Sequence, residues 1–174
     1  MSRQSSTNRK RAPGRRAFSL AEALMATTVL CIVTASSALP FSAGVQQANA
    51  AARLEQATAY GQALMEEILG RPFFPASNRT ASPGPDSGET NKTLYDQLDD
   101  FDGYTEASTG MRDYLNQPIT DSTATGLYRT ASVQYISFTG QAANDTNSFV
   151  RIIVRVWDGN ANLVTLTRVA ARED

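Results

Sequence analysis

The sequence predicts an α+β protein in which one long N-terminal helix packs on a small antiparallel β-sheet. Three observations carry this. Residues 18–69 are almost all helix formers or apolar residues, with no firm stop until Gly70 and Pro72. Residues 149–157 alternate, with Val150, Ile152, Val154 and Val156 in one phase, and Asp158-Gly159-Asn160 follows as a turn. Residues 75–93 hold no large apolar side chain and are dense in Pro, Gly and Ser, so helix and sheet are separated by a loop. The chain divides accordingly into a basic leader (1–17), an apolar half-helix (18–41), an amphipathic half-helix (42–70), a loop region (71–125) and a sheet (126–174).

Composition narrows the chemistry. The 174 residues include no His and one Cys, which excludes His-based triads, His metal ligands and an intrachain disulfide. Cys31 lies in the apolar run and reads as a small hydrophobe. The net charge of −1 conceals an asymmetry: six of the 16 basic residues fall within the first 17 positions, and no acid precedes Glu22. Without that leader, 10 basic residues face 17 acids, a balance near −7. Such a chain lacks the basic face that displaces phosphate counterions, and no nucleic-acid partner is indicated.

Each element follows from its residues. The leader is rich in Ser, Arg and Asn, has no apolar periodicity and is expected to be disordered; its basic cluster reads as a cytoplasmic retention signal. Residues 18–41 are long enough to span a bilayer, which takes about 20 apolar residues. Their one acid, Glu22, sits just inside the apolar start; a charge at the centre of a bilayer helix costs roughly 2.5–3.5 kcal/mol, so it reads as functional. Pro40 removes a bond to the Ser36 carbonyl and predicts a kink. Leu54, Ala57, Gly61, Leu64, Met65 and Ile68 then recur at three or four, one face of a helix that continues to residue 69. A single helix of about 75–80 Å results, at 1.5 Å per residue.

Arg15-Arg16-Ala17-Phe18-Ser19-Leu20-Ala21-Glu22 and the apolar run behind it resemble the processing site of type IV prepilins and type II secretion pseudopilins. Ala17 stands where that family usually has Gly. The resemblance implies a pilin-like fold, cleavage between Ala17 and Phe18 by a prepilin peptidase, N-methylation of Phe18, and Glu22 as the residue that directs assembly. It further implies a subunit held in the bacterial inner membrane by a single pass, N-terminus cytoplasmic and C-terminal domain periplasmic, which then joins a type IV pilus or type II secretion pseudopilus. Its partners would be the peptidase, other pilin or pseudopilin subunits, the inner-membrane assembly platform and the lipid bilayer. Pro40 lies close to the position of a similar proline in that family. The stretch from Ala63 to Phe73 resembles the helix end of minor pilins and points to a minor, initiating component.

Residues 94–121 carry the acid cluster Asp96, Asp99, Asp100, Asp102, Glu106 and Asp113. Some pseudopilins bind calcium in a loop of the soluble domain, which makes Asp99, Asp100 and Asp102 weak calcium candidates; the spacing is not that of an EF-hand, and the prevailing expectation is a solvated acidic loop with no cofactor. Phe101, Tyr104, Tyr114 and Leu115 are expected to pin this loop to the core. Residues 127–138 form a third strand, in which the apolar phase shifts from Val133 and Tyr135 to Ile136 and Phe138 and predicts a bulge or bend.

No catalytic constellation emerges. Glu66 and Glu67 are adjacent on a helix and do not face each other, and the lysines, Lys10 and Lys92, both fall in predicted loops. The reading is a structural subunit, not an enzyme. A second reading stays open: Arg15-Arg16-Ala17-Phe18 also resembles a twin-arginine export motif, and Ala48-Asn49-Ala50 is an A-x-A site. Cleavage after Ala50 would release a soluble exported binding domain. Against it, an h-region needs no acid such as Glu22 and usually runs only about 7–15 residues.

Overall fold

A computed structural model describes residues 18–73, 83–107, 109–140 and 148–172, with the side chain of Leu39 excepted. The order of elements is a helix α1 (Leu20–Leu69), two 3₁₀ turns (Asp99–Phe101 and Ser122–Ala124), and three strands, β1 (Leu127–Ile136), β2 (Phe149–Asp158) and β3 (Ala161–Ala171). The α+β class and the three-stranded antiparallel sheet match the sequence expectation, with strand order β1-β2-β3. The chain falls into two compact units, Met1–Gln47 and Ala48–Asp174, and α1 contributes to both.

In the first unit α1 starts at Leu20, two residues later than the sequence suggested, because Ser19 caps it; Pro40 lies inside the helix. Leu20, Leu24, Met25, Val29, Leu30, Ile32 and Val33 are each more than half exposed. The polar residues among them satisfy themselves. The hydroxyls of Thr27, Thr28, Thr34 and Ser37 donate to the carbonyls of Ala23, Leu24, Leu30 and Val33 at 2.7–2.9 Å. A helix of this kind offers apolar side chains outward and leaves no hydroxyl without a partner, as a lipid environment demands. By length and composition it is apolar enough to cross a membrane.

In the second unit α1 lays one face on the sheet. Ala57, Gly61, Leu64, Met65 and Ile68 are buried, whereas Leu54, placed on the same face by the sequence, is 48% exposed and off the core. The apposing layer is the inner phase of the strands: Ala131 and Val133 of β1, and Val150, Ile152, Val154 and Val156 of β2. Each fully buried aliphatic side chain of this size contributes about 1.5–3 kcal/mol. Close approach depends on Gly61, where an added Cβ would lie 3.0 Å from Val156 Cγ2 and 3.1 Å from Leu166 Cδ1. Gly70 ends the helix, and its N–H still reaches the Glu66 carbonyl at 2.9 Å.

Two strand details differ from expectation. β1 pairs with β2 without interruption from Leu127 to Ile136, so the predicted bulge is not there; the irregularity falls instead between Val156 and Trp157 where β2 meets β3. The β2–β3 connection is a two-residue loop with Gly159 at φ 56°, the first position of a type II′ hairpin, which the twist of the strands favours.

The acidic region is not a solvated loop. Asp99, Asp100 and Glu106 are buried, as are Tyr95, Leu98, Phe101 and Met111, and Leu98 N–H donates to the Pro72 carbonyl at 3.0 Å. Tyr95, Phe101 and Tyr104 form edge-to-face contacts with centroids 5.0–6.4 Å apart. Of the four predicted anchors, Phe101 and Tyr104 do pin the segment, but Tyr114 and Leu115 are exposed. The polar run from Gln141 to Ser148, which the sequence makes the connection into β2, lies outside the described residues except for Ser148.

Candidate functional site

The segment singled out by the sequence lies at the start of α1. Ala17 is outside the described residues; Phe18 follows it, 86% exposed and ahead of the first turn. Ser19 Oγ accepts from Glu22 N–H at 3.2 Å, while Glu22 Oε2 accepts from Ser19 N–H at 2.9 Å and from Ser19 Oγ at 3.0 Å. This is a capping box, in which residues three apart satisfy each other's free donors. The sequence contains its signature, Ser-x-x-Glu before an apolar run, and the reading of Glu22 as an intramembrane charge overlooked it. Both bonds from Ser19 fall on Oε2, and among the described residues no hydrogen bond falls on Oε1. The helix N-terminus also favours an acid there.

The acidic candidates separate into different roles. Asp102 Oδ1 accepts from Val133 N–H at 2.8 Å, and Asp99 Oδ2 accepts from the Tyr135 hydroxyl at 2.6 Å. Asp100 Oδ2 accepts from the backbone N–H groups of Asp96 (3.0 Å) and Gln97 (2.7 Å). Among the described residues the carboxylates that converge within 4.8 Å are Glu89, Asp96 and Asp100, so only Asp100 of the three calcium candidates belongs to such a group. Burial pushes the Asp100 carboxyl up to about 6, against the Gln97 hydrogen bond that pulls it down and with the charges of Glu89 and Asp99 adding to the rise. Burial likewise raises Asp99, against the Tyr135 hydrogen bond.

A second polar cluster was not anticipated. Glu106 lies beside β1, where its N–H donates to the Arg129 carbonyl at 3.0 Å and Ala131 N–H returns to the Tyr104 carbonyl at 2.9 Å. Its carboxylate takes a fork from Arg129: Nε to Oε2 at 2.9 Å and Nη2 to Oε1 at 2.6 Å. Arg129 N–H, Arg112 N–H and the Tyr104 hydroxyl complete five donors at 2.6–3.2 Å. Arg129 also donates to the carbonyls of Tyr60 and Arg112. Burial would lower the Arg129 guanidinium, but the hydrogen bonds and charge of Glu106 outweigh it and hold it above its ordinary value. Nearby, Lys92 Nζ donates to Glu67 Oε2 at 3.0 Å and to the Arg112 carbonyl at 3.3 Å.

Lys92 was expected in an exposed loop and is instead fully buried. Burial lowers its ammonium, opposed by the hydrogen bond and charge of Glu67. Its nitrogen is buried and bonded to protein partners, and it holds the loop to α1. The sequence did carry one signal for this cluster: Arg129 occupies the inward phase of β1 between Leu127, Ala131 and Val133. A charge in an apolar phase needs a buried partner.

Compared with family models, with curated proteins and with solved structures, the chain matches none.

Proposed function

We propose that this chain is a pilin-like structural subunit, inserted in the bacterial inner membrane, processed between Ala17 and Phe18, and assembled into a type IV pilus or type II secretion pseudopilus as a minor component. The observation that carries the reading is the constellation at the start of α1: a basic stretch ending in Arg15-Arg16, a small residue, Phe18, and one carboxylate, Glu22, in the first turn of a helix whose next 20 residues are uncharged. The long apolar α1 and the α+β second unit are compatible with it.

The mechanism follows from charge in lipid. Before processing, Ser19 occupies one oxygen of the Glu22 carboxylate and lowers the penalty of keeping it at the membrane edge. Cleavage frees a cationic amine at Phe18. The amine of one subunit and the Glu22 carboxylate of a neighbour attract in a medium where low dielectric strengthens the pair. Docking removes an unpaired charge and fixes register, and the apolar helices bundle as the filament core. Glu22→Ala is then expected to insert and be cut normally but to fail to co-purify with the filament. Normal incorporation of Glu22→Ala would refute the mechanism.

A further inference from the structure

β3 is an edge strand with no strand beyond it among the described residues, and the register shows which of its groups face outward. The 104–106 segment bonds to Arg129 and Ala131, so the odd residues of β1 point away from β2 and the even ones toward it. Through the pairs Ser132↔Ile153 and Ile153↔Thr167, the same alternation passes to β3. There Val164, Leu166, Arg168 and Ala170 bond to β2, and Thr165, Thr167, Val169 and Ala171 turn their N–H and C=O groups outward. Among the described residues nothing hydrogen-bonds to these four outward pairs.

Natural edges are usually blunted by lysine, proline or covering loops. β3 runs 11 residues with Arg168 as its single charge and no proline. Beside it, on the helix side, lies a groove of about 380 Å³ floored by Met65, Leu69 and Leu166 and flanked by two exposed charges, Glu66 and Arg168. Neither charge belongs to an ion pair among the described residues.

We propose that β3 is a docking edge for an extended segment of another polypeptide, which adds as a fourth, antiparallel strand. A row of alternating donors and acceptors about 6.8 Å apart is complementary to a strand and to little else. The added strand sends every second side chain over the groove. The occupant is therefore a segment with apolar residues in that phase and a carboxylate opposite Arg168. This surface is independent of the processing and assembly reading, and holds under either reading of the N-terminus.

The test uses the full chain in detergent micelles and a capped peptide of about seven residues, the span of a short strand. The peptide alternates threonine and valine, with the central valine replaced by glutamate. At saturation, amide exchange at Thr165, Thr167, Val169 and Ala171 is expected to slow by about tenfold or more, while Val164, Leu166 and Arg168 stay as protected as before. Thr167→Pro removes an outward N–H that β2 does not use, a position where an edge strand tolerates proline. It is expected to weaken peptide binding about tenfold or more, with unchanged protection at Leu166 and Arg168 reporting an intact sheet. Arg168→Glu should invert the preference between the glutamate peptide and its lysine counterpart. Unchanged exchange at the four odd residues, wild-type binding by Thr167→Pro, or protection of the edge by dimerisation of the chain alone would each overturn the proposal.

Discussion

Glu106→Gln should be among the most destabilising single-atom changes in this protein. The wild-type carboxylate receives five donors at 2.6–3.2 Å, is fully buried, and neutralises the guanidinium of Arg129, itself a buried residue. An amide keeps one accepting oxygen and sets its NH₂ against donors, so two or more donors lose their acceptor, at about 1–3 kcal/mol each. The Arg129 charge is then buried without a counter-ion. Removing one partner of a buried pair costs about 3–5 kcal/mol, and the two routes to the figure agree. For a unit the size of Ala48–Asp174 this corresponds to a fall in Tm of roughly 10–15 °C. Urea unfolding followed by the fluorescence of Trp157, the one tryptophan, reads it directly. The double variant Glu106→Leu/Arg129→Met should stay destabilised: it removes both charges together but leaves the Arg129 and Arg112 backbone N–H groups and the Tyr104 hydroxyl without their acceptor. A Glu106→Gln protein within about 1 kcal/mol of wild type would refute the assignment of this pair as a buried, obligatory unit.

Gly61→Val should destabilise by about 1–3 kcal/mol in the same assay, because its Cβ alone would press on Val156 and Leu166 at 3.0 and 3.1 Å; a stable variant would mean the helix–sheet approach is looser than described. The Asp100 carboxyl, raised to about 6 by burial, gives a pH dependence of definite sign. The folded state binds the proton more tightly than the unfolded state, so stability falls as pH rises through the window from about 4 to about 6 and stays lower above it. Asp100→Asn keeps an oxygen for the Asp96 and Gln97 N–H groups; it should flatten that slope in urea titrations at a series of pH values and stabilise the protein above pH 7. An unchanged slope would remove Asp100 from the account.

Much of the fold was legible because it follows from periodicity. The alternation of Val150, Ile152, Val154 and Val156, and the three-four spacing of Ala57, Gly61, Leu64, Met65 and Ile68, are each written in consecutive residues and report burial directly. Leu54 departs at the turn of the helix where its neighbour Arg53 bonds to Asp158 and to the Thr123 and Thr125 carbonyls. The bulge was misplaced because the apolar phase of Tyr135, Ile136 and Phe138 reflects contacts at the end of β1, such as the Phe138–Phe149 edge-to-face pair, and not a break in the β1–β2 ladder. Least legible were Lys92, Glu106, Asp99 and Asp100. Composition alone makes such residues solvent-facing, and their partners, Glu67, Arg129, Tyr135 and the Gln97 backbone, are non-local or set by a turn that no period encodes. At the start of α1 the difficulty was the reverse: the Ser19–Glu22 pair is local, but a lone acid before an apolar run drew attention to lipid rather than to capping.

The proposed function stands on where the mature chain begins, and intact-mass analysis of the protein purified from membranes of its native host, with sequencing of its N-terminal peptide, tests it most directly. The account predicts a chain that starts at Phe18, heavier by one methyl group on its terminal amine. A chain that starts at Ala51 would contradict it and identify an exported soluble domain in its place.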